Sequence, residues 1–231
     1  MPGAPLRIVS LVPSVTETLL AWGIVPVACT RFCEQPELAH VGGTKDPDLA
    51  AIRALAPDLV VMDAEENRRE DHAALADAGQ SLHVLHVRDV ADVGPELAPL
   101  ADRLGVPYDP PPVRPPTEVR LRAFIPIWRR PYRALGTPTY GSSLLASLGV
   151  ANVFADLEPY PEVTLEQASA RHPDAVLAPD EPYPFGPRHL GELTAVGPVT
   201  LLDGKDLFWW GVRTTSALER LGRAIEPIAA R

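Results

Sequence analysis

The chain has 231 residues, of which 46% are hydrophobic and 22% are charged, and its formal net charge is −9 at pH 7. A chain of this length forms one large domain or two smaller lobes, and this composition is that of a globular protein. The negative charge excludes a non-specific nucleic-acid binder, and no apolar run approaches the roughly 20 residues needed for membrane insertion.

Predicted strands and helices alternate in the first half of the chain. The run "RIVSLV" (7–12) predicts a buried strand that Pro13 ends, and Ser14 with Glu17 predicts a capping box for a helix that runs to Gly23. Further strands are predicted at 25–29, 58–62 and 81–87, and further helices before Pro57, at 67–78 and at 92–105. This alternation predicts a doubly wound α/β lobe with a parallel sheet.

A proline-rich segment divides this lobe from a second one. "VPYDPPPVRPP" (106–116) can be neither a helix interior nor a central strand, so it predicts a stiff linker. Beyond it, strands are predicted at 119–126 and 197–203, and helices at 141–148 and 213–229. The segment "TLEQASARHPDAVLA" repeats the pattern of "DLAAIRALAPDLVVM", which indicates equivalent parts of two similar lobes. The predicted division is a lobe at 1–91, a connecting helix and linker at 92–117, and a lobe at 118–231.

Aromatic and charged residues follow the predicted strands. In a doubly wound sheet, ligands bind beyond the carboxyl ends of the strands. The residues found there are Arg31, Cys33, Glu65, Glu66, Asn67, Trp128, Arg129, Tyr183, Phe185, Trp209, Trp210 and Arg213. Each tryptophan alone is explained equally well by packing, and Glu65 and Glu66 also suit a helix start. Together the aromatic residues favour a cleft for a large, flat ligand, with arginines at its rim.

Signatures of catalysis and of protein-bound metal are weak. No GxSxG, P-loop or GxGxxG sequence occurs, and the six histidines show no ligand spacing. Cys33 and His189 remain possible metal ligands, and Lys45 in "VGGTKD" is a possible contact for an anionic group. Cys29 and Cys33 fit neither a zinc pattern nor a disulfide framework.

Five segments in a fixed order carry a resemblance to a known family. They are "RIVSLVPSVTETLLAWG", "GGTKDPDLAAIRALAPDLVV", "EENRREDHAALADAG", "TYGSSLLASLGVANVFAD" and "YPEVTLEQASARHPDAVL". Over nearly its whole length the chain resembles the helical-backbone (class III) substrate-binding proteins of bacterial ABC importers, and within them the cobalamin-binding branch. The resemblance implies a periplasmic-binding-protein-like fold: two Rossmann-like α/β lobes with parallel sheets, joined by a single connecting helix, with the ligand held by loops of both lobes.

The resemblance also implies which residues bind the ligand. By position, the first lobe contributes Pro13, Arg31, Phe32, Cys33, Glu65, Glu66 and Asn67, and the second contributes Trp128, Tyr140, Glu181, Tyr183, Phe185, Trp209 and Trp210. The expected function is non-catalytic binding of a small molecule, either cobalamin or another metal chelate, with no intrinsic cofactor. Trp128, Tyr183, Trp209 and Trp210 would stack on it, and Arg31, Lys45 and Arg213 would contact its polar groups.

Two departures from the family pattern shape the remaining expectations. No export signal or lipid anchor is recognised near the N-terminus, which predicts a cytoplasmic location. The family's acidic docking position in the first lobe falls at Arg69, which makes docking on an ABC transporter doubtful. Two alternatives stay open: an enzyme that uses Cys33 as nucleophile or Glu65 and Glu181 as acid and base, and a conventional importer subunit.

Overall fold

The computed structural model describes residues 6–113 and 115–230, and these form two compact units. Unit 1 holds the residues up to Val87 together with Val93–Pro110, and unit 2 holds Arg88–Asp92 together with the residues from Pro111 onward. The helix predicted to connect the lobes spans Val93–Leu104 and belongs to unit 1. The three-part division of the sequence stays a prediction.

Unit 1 is built on a five-stranded parallel sheet. Its elements are β1 (Ile8–Ser10), α1 (Pro13–Ala21), β2 (Ala28–Cys29), β3 (Ala39–His40), α2 (Leu49–Ala54), β4 (Leu59–Asp63), α3 (Arg69–Asp77), β5 (Leu82–Leu85) and α4 (Val93–Leu104). The strand order is β3-β2-β1-β4-β5, and every neighbouring pair is parallel. The central strands β1 and β4 are fully buried, as expected of a sheet covered on both faces.

The first helix begins two residues earlier than predicted, and without the predicted capping box. Pro13 is the first helical residue, and Val12 before it makes no capping bond through its side chain. Proline suits this position because the first helical residue has no intrahelical partner for its N–H. The end of α3 follows the prediction, because Gly79 after it adopts φ +74.

Unit 2 holds one parallel and one antiparallel sheet. Its elements are β6 (Leu121–Phe124), β7 (Pro126–Trp128), β8 (Tyr132–Ala134), α5 (Tyr140–Ser147), β9 (Val150–Asn152), β10 (Glu162–Val163), α6 (Leu165–Ala170), β11 (Ala175–Pro179), α7 (Leu190–Leu193), β12 (Val199–Leu202), α8 (Gly204–Phe208) and α9 (Thr214–Ala229). The parallel sheet has the order β12-β11-β6-β9. A small antiparallel sheet, β10-β8-β7, was not expected from the sequence, and it places Trp128 at a strand end rather than in a loop.

The predicted internal repeat has a structural counterpart in both units. Asp58 accepts the backbone N–H of Arg7 at 2.7 Å, and Asp174 accepts the backbone N–H of Arg122 at 2.8 Å. In both places the aspartate enters a buried strand and holds the start of the parallel strand beside it. The repeated Pro-Asp pattern therefore fixes the amino ends of the sheets, and candidate binding residues gather at the opposite ends.

No helix among the residues described is both long and apolar enough to cross a bilayer.

Candidate functional site

Unit 1 brings its candidate residues together at the carboxyl edge of its sheet. Pro13 follows β1, the segment from Arg31 to Cys33 follows β2, and the segment from Glu65 to Asn67 follows β4. Contacts join these loops, since Lys45 Nζ donates to the backbone oxygen of Glu65 at 2.5 Å. These residues therefore lie at one edge of the sheet, and their role in ligand binding stays a prediction.

The Arg31 side chain stands at the surface of this edge. Its guanidinium lies 4.7 Å from the centre of the Phe32 ring, which is 50% exposed. It also pairs with Asp46 at 3.0 Å, so its charge is partly balanced within unit 1. An exposed aromatic ring with a cation on its face is a surface that suits a flat, polar-edged ligand.

A buried aspartate that the sequence analysis missed organises the neighbouring turn. Asp63 ends β4, and its Oδ1 accepts the backbone N–H groups of Glu65 and Glu66 at 2.9 and 3.0 Å. Its Oδ2 is buried without a hydrogen-bond partner, and burial raises the pKa of Asp63 to about 6. The signal available in the sequence was position alone, because Asp63 directly follows the buried run 59–62.

Asn67 is a scaffold residue of the same turn. Its Oδ1 accepts the N–H of Asp63 at 2.9 Å, and its Nδ2 donates to the backbone oxygens of Leu11 and Thr44. Asn67 is 6% exposed, and its hydrogen bonds connect three loops inside unit 1. The charged run at 65–71 thus serves two purposes: residues 65–67 form the turn at the sheet edge, and α3 begins at Arg69 with Glu70 and Asp71 in its first turn.

Unit 2 contains a cluster of five rings from the antiparallel strands β7 and β8 and from the segment that follows β11. Trp128 packs edge-on against Tyr183 with ring centres 5.7 Å apart, and Tyr183 contacts Phe185 at 4.8 Å. Tyr132 stacks on Phe185, and His189 lies edge-on to both Tyr183 and Phe185. Trp128 is 44% exposed, whereas Phe185 and His189 are buried, so the cluster presents one large ring to solvent from a packed base.

His189 is held as a neutral ring. Its Nδ1 accepts the backbone N–H of Gly186 at 3.1 Å, and the Arg188 Nε donates toward its Nε2 at 3.2 Å, so N–H donors face both ring nitrogens. Burial, together with Arg188 and Arg129, lowers the pKa of His189. The ring therefore supports the cluster without adding charge at pH 7.

The Arg129 guanidinium at the edge of this cluster is engaged by a carboxylate. Its Nε and Nη2 donate to the two oxygens of Glu192, at 2.5 and 2.8 Å. Burial first, and then Glu192, raise the pKa of the adjacent Tyr132 to about 12. Arg129 is therefore a less effective anion contact than its position in the sequence indicates.

A second group in unit 2 surrounds Trp209. The side chains of Lys205 and Arg213 lie 5.4 and 5.6 Å from the centre of this ring. Asp206, which is 2% exposed, accepts from Arg213 at 3.1 Å and from Arg220 at 2.6 Å. One carboxylate thus meets two guanidinium groups, and the three side chains together keep a net positive charge.

Of the remaining predicted residues of unit 2, Tyr140 and Trp210 are buried and Glu181 is partly buried. Tyr140 and Trp210 are 4% and 5% exposed, and the Tyr140 hydroxyl lies 3.0 Å from Thr214 Oγ1. Glu181 follows β11 and lies so close to the backbone of Gly204 that a Cβ on residue 204 would clash with Glu181. Tyr140 and Trp210 support the loops of the second group from within the core.

Among the residues described, no group of three or more His, Cys, Asp or Glu side chains is arranged to hold a metal ion. Cys33 and Glu65 belong to unit 1, and His189 and Glu181 belong to unit 2. Cys33 is 2% exposed, so its sulfur does not face solvent as a nucleophile.

Comparison with known proteins assigns this arrangement to a group of binding proteins. The vitamin B12-binding protein of Salmonella paratyphi A is 28% identical over 189 residues, which cover 74% of this chain and 71% of that protein. The solved periplasmic vitamin B12 binding protein BtuF of Vibrio cholerae has a TM-score of 0.75 at 21% identity, covering 97% of this chain and 98% of that one. The periplasmic heme-binding protein BhuT, in complex with two hemes, has a TM-score of 0.79 at 21% identity, covering 98% and 100%. No family model matches the chain.

The chain is similar to these binding proteins in sequence and in fold. The predicted resemblance and the predicted two-lobed α/β fold with parallel sheets are confirmed. The relatives are binding proteins and not enzymes, which supports the non-catalytic prediction over the alternative based on Cys33 or on Glu65 and Glu181.

Two expectations from the sequence need correction. The predicted cytoplasmic location is wrong, because the solved proteins of this kind are periplasmic. The doubt about transporter docking, which rested on Arg69 alone, finds no support in the similarity to vitamin B12-binding proteins. Arg69 is an exposed residue at the start of α3.

Proposed function

We propose that this protein binds a corrinoid or a closely related metal chelate with the carboxyl-edge loops of both units, as the substrate-binding component of an importer. The observation that carries the proposal is the exposed ring of Trp128 on its aromatic base. Trp128 exposes 44% of its surface while it packs on Tyr183, whose segment follows β11, and segments that follow parallel strands are where ligands of this fold class bind.

The chemistry of the loops suits such a ligand. A corrinoid offers a broad face, which rings such as Trp128 and Phe32 can cover, and a rim of amide and phosphate groups. The net positive group of Arg213, Arg220 and Asp206 suits the anionic part of that rim. Similarity to vitamin B12-binding proteins over three quarters of the chain favours a corrinoid over other chelates.

A ligand titration tests the proposal. The purified protein is titrated with aquocobalamin, cobinamide, heme and a ferric siderophore, and binding is followed by absorbance and by tryptophan fluorescence. We expect saturable binding of a corrinoid, and an affinity loss of about tenfold or more in Trp128→Ala, since a central aromatic contact carries at least that share of binding energy.

The matched control is Trp22→Phe. Trp22 packs against Tyr108 in unit 1 and follows no candidate strand end, so its replacement should leave the affinity unchanged. The absence of saturable binding for every corrinoid, or an unchanged affinity in both Trp128→Ala and Trp209→Ala, contradicts the proposal. Saturable binding of heme, with no binding of a corrinoid, would mean that the ligand is a porphyrin.

A further inference from the structure

The two cysteines of the chain flank a tight turn in unit 1. Cys29 is the last residue of β2, and Cys33 follows the turn formed by residues 30–32. The N–H of Cys33 donates to the backbone oxygen of Thr30 at 3.1 Å, which folds the chain back toward the end of β2. Both thiols are free, and both residues are buried, with 0% and 2% exposure.

Strand register places both sulfur atoms on one face of the sheet. Cys29 is paired with Ser10 of the parallel neighbour β1, and directly paired residues project to the same face. Ser10 Oγ lies 2.8 Å from Thr16 Oγ1, and Thr16 Oγ1 lies 3.2 Å from Cys33 Sγ. Thr16 therefore connects Cys33 to the same face of β1 that Cys29 shares with Ser10.

The surroundings make the two thiols chemically unequal. The hydrogen bond from Cys29 and those from the Thr16 and Thr30 hydroxyls outweigh burial and lower the pKa of Cys33 to about 6. The same hydrogen bond and burial raise the pKa of Cys29. Cys33 is therefore the thiolate of the pair, and thiolates are the nucleophiles of disulfide exchange.

We propose that Cys29 and Cys33 form an intramolecular disulfide that closes the turn bearing Arg31 and Phe32. The oxidant is a low-molecular-weight disulfide. The exchange takes place during folding, before both sulfurs are buried: the Cys33 thiolate attacks one sulfur of the oxidant and releases one thiolate. Cys29 then loses its proton and attacks the Cys33 sulfur of the mixed disulfide, which releases the second thiolate. The protein loses two electrons and two protons, and the oxidant becomes two thiols.

The disulfide is independent of the proposed ligand. It rests on the geometry of unit 1 alone, and it concerns thiols that no ligand contact requires. Its structural effect is to fix the position of the 30–32 turn relative to β2, because the covalent bond joins the residues on either side of that turn.

Mass spectrometry of refolded protein tests the inference. Reduced, urea-unfolded protein is refolded in a glutathione redox buffer, quenched with N-ethylmaleimide under denaturing conditions and weighed intact. We expect a monomer lighter than the reduced chain by two hydrogen atoms, with no maleimide and no glutathione attached. Cys29→Ser and Cys33→Ser are the matched controls, and each should take up one maleimide or one glutathione.

A comparison with the unfolded chain keeps the test specific to the fold, since cysteines this close in sequence also pair in a random chain. We expect the ratio of disulfide to dithiol at a fixed glutathione poise to be about tenfold or more higher in native buffer than in concentrated guanidinium chloride. Two maleimide adducts on the refolded wild type, a stable glutathione adduct, a disulfide-linked dimer, or a ratio no higher in native buffer would each overturn the proposal.

Discussion

A single buried side chain, that of Asp63, makes the stability of the protein depend on pH. Its carboxylate caps two backbone N–H groups with one oxygen, while the other oxygen is buried without a partner. Burial therefore favours the protonated form in the folded protein, and the pKa rises from the usual 3.8 to about 6. In the unfolded chain the same group keeps its usual pKa.

We expect Asp63→Asn to remove a pH dependence of stability between about pH 4 and pH 6. In that window the folded wild type binds a proton that the unfolded chain does not, so its free energy of unfolding rises as the pH falls. A shift from 3.8 to about 6 corresponds to about 3 kcal/mol. Relative to the variant, the wild type should gain about that much between pH 8 and pH 4.

Urea unfolding at several pH values measures this difference. Asp77→Asn is the control, because Asp77 is an exposed residue at the end of α3 and its replacement should shift stability equally at every pH. A difference between wild type and Asp63→Asn that stays flat, or that grows with rising pH, would show that Asp63 is ionised throughout this range.

The first residues of α6 and α1 show when a capping sequence forms its hydrogen bonds. Thr164 begins α6 with a capping box, since its hydroxyl accepts the N–H of Gln167 at 3.1 Å and the Gln167 side chain accepts the N–H of Thr164 at 2.8 Å. The similar pattern of Ser14 and Glu17 makes no such box, because the helix there starts at Pro13. A Ser or Thr followed three residues later by Glu or Gln therefore forms a capping box only where that Ser or Thr is the extended residue directly before the helix.

Thr164→Ala should destabilise the protein by about 1 kcal/mol, because one N–H at the helix start loses its acceptor. The measurement is the urea midpoint at constant slope. Ser169→Ala, at an exposed position of the same helix, is the control and should be neutral or slightly stabilising because alanine favours helix. An equal loss in both variants would mean that the capping bond contributes nothing of its own.

Parallel strands were predictable and the antiparallel sheet was not, for a physical reason. Buried parallel strands such as β4 and β11 read as continuous apolar runs followed by turn residues. Strands β7, β8 and β10 have two or three residues each, and β10 pairs with β8 across a gap of nearly thirty residues. So short an element leaves no periodicity to recognise.

The candidate site also has features that the sequence predicts and features that it does not. Residues such as Arg31 and Glu65 could be placed because strand ends share an edge. Their ion-pair partners could not, since Asp46 lies 15 residues from Arg31 and Glu192 lies 63 residues from Arg129. Tertiary packing brings these residues together, and it determines which arginine side chains are already paired with a carboxylate.

The whole molecule consists of two units that each carry an aromatic, charged edge, and the proposed function requires one ligand to engage both. Unit 1 offers the loops at 30–34 and 64–67, and unit 2 offers those at 181–189 and 209–213. A ligand that touches only one edge would leave the other without a role. Hydrogen exchange separates these cases because it reports each loop independently.

With saturating aquocobalamin, we expect slower amide exchange in the loops of both units, measured by mass spectrometry of peptides that cover them. The segments at 56–58 and 172–174 are internal controls, since they lie at the amino ends of β4 and β11, away from the edge where the ligand is proposed to sit. Their exchange should not change. Protection confined to one unit, in a protein that binds the corrinoid saturably, would keep the ligand but reject the shared site. Equal protection in the control segments would instead indicate general stabilisation, because binding to the folded state slows every exchange event that requires global unfolding.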